Sequence, residues 1–111
     1  MAILSTSLLN TPAPISPNLT ADSAVTVMLF CNLNAIDPLD SSAGKQYIDI
    51  YVVASGQTPS DLNKIANQVP VDAGDTFTFS TERLVLSPND RIHAATTTSG
   101  EVSATISYVV I

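Results

Sequence analysis

Few side chains in this 111-residue chain are equipped for chemistry, and they are scattered. His93 is the single histidine and Cys31 the single cysteine, so a nucleophile–base pair would have to combine His93 with Cys31 or with a serine. No Gly-x-Ser-x-Gly turn exists to present a serine, and a lone histidine rarely makes a metal or catalytic centre. His93, between Ile92 and Ala94, reads as a structural histidine on a strand; Cys31, with no cation nearby in sequence to lower its pKa, reads as a buried, inert thiol. Gly44-Lys45 resembles the end of a phosphate loop, but Leu39 stands where the earlier glycine belongs. Asp37, Asp40 and Ser42 could ring a calcium ion, without the glycine and closing glutamate of a strong calcium loop. Asp49 and Glu82 could be imagined as a glycosidase pair in a domain small for a sugar cleft. Tyr47 and Tyr51, four apart on one strand face, could stack on a sugar, pack on a protein or simply cover a sheet. The reading assigns no catalytic, cofactor-binding or metal residue, and the chain is expected not to be an enzyme.

The composition points away from several partners. Ten acids against four bases leave a net charge of −6, and no Lys/Arg cluster offsets it, so a nucleic-acid partner is not expected. Hydrophobic residues are 45%, enough for a core without staples, while charged residues are only 13%, about half the usual share. Much of the surface must then be Ser, Thr, Asn and small apolar groups, which suits a protein partly covered by neighbours. With one cysteine there is no internal disulfide. Met1-Ala2-Ile3-Leu4-Ser5 lacks a positive n-region and a long h-region, and no apolar run approaches a membrane span. No signal peptide and no membrane partner are expected, and folding is expected in a reducing cytoplasm.

Residues 1–22 differ from the remainder. Pro12, Pro14 and Pro17 exclude a helix and nearly exclude a central strand. Yet Ile3, Leu4, Leu8, Leu9, Ile15 and Leu19 make the segment too apolar for a flexible linker. One reading is an edge strand on its own domain. The sharper one is an extended arm that buries Ile3, Leu4, Leu8, Leu9 and Ile15, with Pro12, Pro14 and Pro17 holding it straight, on a neighbouring subunit. On the sharper reading, removal of residues 1–20 would leave residues 23–111 folded.

The body repeats one grammar of β-rich run, polar turn, β-rich run. Ala24–Asn32 alternates Val25, Val27, Leu29 and Cys31 with Thr26, Met28, Phe30 and Asn32, both sets largely apolar, so a central strand covered on both sides, with Val27 buried, is expected. Gln46–Ser55 places Ile48, Ile50, Val52 and Ala54 inward, and Tyr47, Asp49 and Tyr51 outward. Leu62–Val71 reads as an irregular edge strand, with one helical turn as the alternative. Thr76–Ser80 alternates strictly, and Val102–Val110 alternates to the end. Ser87-Pro88-Asn89-Asp90 reads as a type I turn folding the flanking strands of Thr81–Ala95 into a hairpin, and Asp72-Ala73-Gly74-Asp75 as a further hairpin turn. About seven short strands without a convincing helix predict an all-β antiparallel β-sandwich over 23–111, with an extended Pro-rich N-terminal arm over 1–22.

Several of these runs resemble small β-sandwich structural proteins of tailed bacteriophages, cyanophages in particular. They are Ala24–Asn32, Tyr51–Gly56, Thr81–Leu86 and Ala104–Val109, in order over residues 21–111. The resemblance implies a virion protein: a capsid cement or decoration protein clipping neighbouring capsomers on the outer shell, or else a neck or tail fibre module. Its implied partners are the major capsid protein or other virion proteins and further copies of itself, with no cofactor. A host-glycan adhesin using Tyr47 and Tyr51 is the alternative from another class. The Pro-rich start and the Asp37–Gly44 loop depart from the family pattern.

Overall fold

The computed structural model describes residues 2–79 and 84–111, and these form nine strands in two antiparallel sheets with no helix among them. The first sheet runs β1 (Ala2–Ser7), β9 (Val102–Val110), β3 (Ser23–Asn32), β6 (Thr76–Phe79), with β7 (Leu84–Leu86) also paired to β3. The second runs β2 (Ala13–Pro14), β8 (Arg91–Ala95), β4 (Gln46–Val53), β5 (Lys64–Val71). Phe30, Met28 and Ile106 from the first sheet meet Ile48, Ile50 and Ile92 from the second in one buried cluster. Each fully buried Ile or Phe contributes about 1.5–3 kcal/mol before the entropy of ordering it. The expected all-β sandwich is therefore present. Lys64–Val71 is the irregular edge strand, with two register shifts against β4.

The expected hairpins are corners instead. At Ser87–Asp90 the Asp90 N–H donates to the Ser87 carbonyl at 3.0 Å, and Asn89 has φ of 69°. A positive φ at the third position belongs to type II, not to the expected type I. β7 lies on β3 and β8 on β4, so the turn carries the chain from one sheet to the other. Asp72–Asp75 behaves alike: a 3.0 Å bond closes it, Gly74 has φ of 77°, and it links β5 to β6 across the sandwich. Type II turns splay their flanking strands, whereas two-residue hairpins favour the primed types whose twist matches the sheet. Residues 81–83 of the expected hairpin and Ser80 of its neighbour lie outside the described residues.

Two further expectations are corrected. The pairing of β3 with β9 shifts register between Val25 and Val27, so Val25 faces the core but thereafter Met28, Phe30 and Asn32 do. Val27, Leu29 and Cys31 turn outward, and Cys31 is half-buried rather than sealed. The N-terminal arm is likewise not a separate body. β1 pairs with β9 over Ala2–Ser7, Leu8 and Ile15 are 1% and 2% exposed, and Leu4 packs against the same core. The Ile15 N–H donates to the Ile92 carbonyl at 2.8 Å, and the Ser16 hydroxyl accepts the Ile92 N–H at 2.9 Å. Of the residues expected to dock on a neighbour, Leu4, Leu8 and Ile15 are used within this chain and Pro17 is half-buried. Ile3, Leu9, Pro12 and Pro14 remain exposed.

Candidate functional site

The two outer sheet faces divide the polar side chains unequally. On the first sheet, the register sets Ile3, Ser5 and Ser7 of β1 beside Ser107, Thr105 and Ser103 of β9. Those in turn lie beside Val27, Leu29 and Cys31 of β3, with Thr78 and Thr76 of β6 completing the rows. No charged residue occurs in the described parts of these strands. The hydroxyls bond one another, as at Ser5 Oγ–Thr105 Oγ1 (3.2 Å) and from Thr26 Oγ1 to Ser107 Oγ (3.0 Å). Among the described residues this face carries no charge and is built of hydroxyl and aliphatic groups.

The second sheet carries a mixed face. β4 points Tyr47, Asp49 and Tyr51 outward, and Tyr51 pairs with His93 of β8 and Lys64 of β5. The Lys64 ammonium sits 5.4 Å from the Tyr51 ring centre and 3.9 Å from the Asp49 carboxylate. One-sided desolvation works against that ammonium, yet Asp49, Tyr51 and Asp61 together hold its pKa above the usual lysine value. Covered in this way, Tyr51 is only 7% exposed and offers no free ring; Tyr47, at 46%, does. The expected tyrosine pair is therefore a single exposed platform. Asp49 also accepts the Gln68 N–H at 2.7 Å, holding Gln68 at φ of 50° inside an irregular stretch of β5. A left-handed non-glycine backbone is costly, and such strain gathers where a site needs a fixed shape. Tyr47, Asp49, Gln68, Thr96 and Thr97 line a shallow depression of about 330 Å³ beside it.

His93 lies on this face, and its Nδ1 is buried without a hydrogen-bond partner. Desolvation, helped by the nearby Arg91 charge, pushes its pKa below the usual histidine value. Cys31, the other half of the imagined nucleophile–base pair, lies on the opposite sheet from His93. Glu82, the imagined partner of Asp49, lies outside the described residues.

At one end of the sandwich a polar network joins the sheets. The buried Asn32 donates to the carbonyls of Gly44 (2.8 Å) and Val71 (2.9 Å) and accepts the Asn34 N–H (3.0 Å). Glu101 accepts from Asn34 and Gln46, each at 3.0 Å, and the Gln46 carbonyl accepts from Thr96 Oγ1 and the Thr98 N–H. Composition alone missed this network; its one sequence signal is amide residues at inward strand positions. In the adjoining loop the two aspartates bond locally. Asp37 accepts the Leu39 N–H, and Asp40 accepts the Ser42 N–H and hydroxyl, which hold the Asp40 carboxyl below its usual pKa. Each carboxylate closes its own turn, and among the described residues no group of three His, Cys, Asp or Glu is placed to hold a metal ion. Gly44-Lys45 likewise binds within the fold, the lysine 3.5 Å from Asp72. No family model matches the chain, and no curated protein or solved structure does.

Proposed function

We propose that this chain is a non-enzymatic structural protein of a tailed-phage virion, with a capsid cement or decoration role as the first reading and a neck or tail fibre module as its rival. The observation that carries the reading is the uncharged outer face of the first sheet. Exposed strands normally carry Lys and Glu for solubility, and a face of Ser, Thr, Val and Leu is instead suited to lie against protein. Cement work requires a rigid body and covered surfaces rather than bond-making chemistry. A net charge of −6 would keep the protein off packaged DNA and on the outer side of a shell. Quantitative mass spectrometry of purified particles tests this. Hundreds of copies per particle support cement, about a dozen or fewer support neck or tail, and absence from particles overturns the virion reading.

A second reading has its own observation. The depression beside Tyr47 combines an exposed aromatic ring, a carboxylate, an amide and two threonines, a set able to stack on and hydrogen-bond a sugar. A host-glycan adhesin would bind on a glycan array and lose the signal in Tyr47→Ala. No signal on any glycan would remove this reading and leave the first untouched.

A further inference from the structure

We infer that β1 is an open docking edge, and that its occupant is β1 of a second copy of this chain, paired antiparallel across a two-fold axis. An edge strand exposes a row of unpaired N–H and C=O groups, and proteins normally blunt it with proline, charge, a bulge or shortness. Two of the other sheet edges are blunted in this way. β2 is two residues long and contains Pro14; β5 carries Pro70, Lys64, left-handed Gln68 and two register shifts. β1 has none of these devices: six residues, Ala-Ile-Leu-Ser-Thr-Ser, without charge or proline and in unbroken register with β9.

The hydrogen-bond parity shows which groups are free. The Leu8 N–H donates to Val102 and the Leu33 N–H donates to Glu101, so β9 turns its even residues to β1 and its odd ones to β3. Ala2, Leu4 and Thr6 thus bond to β9, and the N–H and C=O of Ile3, Ser5 and Ser7 point away from the sheet. All three of these residues are exposed, Ile3 by 70%.

An identical strand fits this edge. With the two-fold axis at Ser5, Ile3 of one copy lies opposite Ser7 of the other, and each exchanges both of its bonds. Large meets small on the outer face, and Leu4 lies beside Thr6 of the second copy on the inner one. The pairing keeps inner side chains inward, as the two-residue period of a strand requires. Charge selects the same approach: in an acidic chain, β1 and the face beside it are where two copies meet without setting acid against acid. The β2 and β5 edges are blunted in both molecules, whereas the outward groups of β1 match those of a second, antiparallel β1. The pairing would extend the uncharged face across both copies. It does not depend on the virion reading.

Light scattering over a concentration series, combined with amide hydrogen exchange, is the test. The expected mass rises to twice the 11.6 kDa chain mass, while the amides of Ile3, Ser5 and Ser7 gain protection with concentration and those of Leu4 and Thr6 are protected throughout. Ser5→Pro removes the outward N–H and the exposed Ser5–Thr105 hydroxyl contact but no backbone β1–β9 bond, so it should stay folded by circular dichroism and remain a monomer at every concentration. Should Ser5→Pro fail to fold, the double variant Ile3→Lys, Ser7→Lys, which leaves every β1–β9 bond in place, is expected to be the folded monomer. A wild type that stays monomeric overturns the inference, as does a dimer that survives the edge variant or leaves the three odd amides unprotected.

Discussion

The two outer faces of this sandwich rest on the same core and yet are built for different work. Behind both lie Phe30, Met28, Ile48, Ile50 and Ile92, interlocked and inaccessible. In front, one sheet presents hydroxyls and aliphatics with no charge among the described residues, and the other presents Tyr47, Asp49, Lys64, Arg91 and His93. On the mixed face the charges satisfy each other: Lys64 holds Asp49, and Asp49 holds the backbone of Gln68. On the uncharged face little marks one spot from the next. Low overall charge in a sequence can therefore mean a local vacancy of charge rather than a thin, even scatter.

The largest expected effect concerns the strands that close both sheets. Deleting residues 2–20 removes β1, β2, Leu8 and Ile15, and is expected to abolish the cooperative thermal transition in circular dichroism. A truncated chain melting near the intact temperature would mean that the faces persist without their first strands. Next come paired substitutions of one inward and one outward strand residue. Ile50→Ala, at 0% exposure, should cost about 2–5 kcal/mol in urea unfolding, whereas Val27→Ala, facing outward, should cost about 1 kcal/mol or less. Equal costs would place Val27 back in the core.

Binding sharpens the contrast more directly. Leu29→Lys puts a charge at the middle of the uncharged face, where the side chain is already partly exposed, so stability should move by about 0.5 kcal/mol or less. If the proposed cement role holds, affinity for purified phage shells should fall at least about tenfold, which is about 1.4 kcal/mol, while Tyr47→Lys on the other face leaves it unchanged. The reverse result would move the docking surface to the second sheet. The smallest effect belongs to His93. Burial lowers its folded-state pKa, so as pH falls through about 6.5 the unfolded chain takes up a proton that the folded chain refuses. Stability is thus fully present above that value and declines below it, by no more than about 1.4 kcal/mol per pH unit for one proton. His93→Gln should flatten the slope between pH 6.5 and the carboxylate range; an unchanged slope would assign it to other groups.

How much of this could be read in advance follows from where the information sits. The strands were legible because alternation is local: Gln46–Val53 and Val102–Val110 announce themselves. The turn residues also announced turns, but not what the turns join. Pro88-Asn89 and Ala73-Gly74 place the left-handed residue third, a type II signature that splays strands, and following that geometry through would have replaced each hairpin by a corner. The bulge at Val25–Val27 has no mark in a run apolar on both faces, so alternation put Val27 in the core, and beyond the bulge it turns outward. The arm misled because proline argues for an extended chain and says nothing about which molecule receives it. Of the mixed face, Tyr47, Asp49 and Tyr51 were legible from spacing alone. Lys64 and Gln68 were not, because cross-strand register brings them there.

The pairing of Asn32 with Val102 sets the order in which the molecule can be assembled. The central strand of the first sheet is synthesised early, and the neighbour that completes it arrives some seventy residues later. In the interval β3 has open edges, apolar on both faces and free of charge. Loop closure over that span is slow, and all-β chains dominated by such distant pairings fold in about milliseconds to seconds. During that time the feature that suits the finished protein to lie against others also exposes its unfinished chains to one another. Refolding yield should therefore fall with protein concentration, and dilution should recover it.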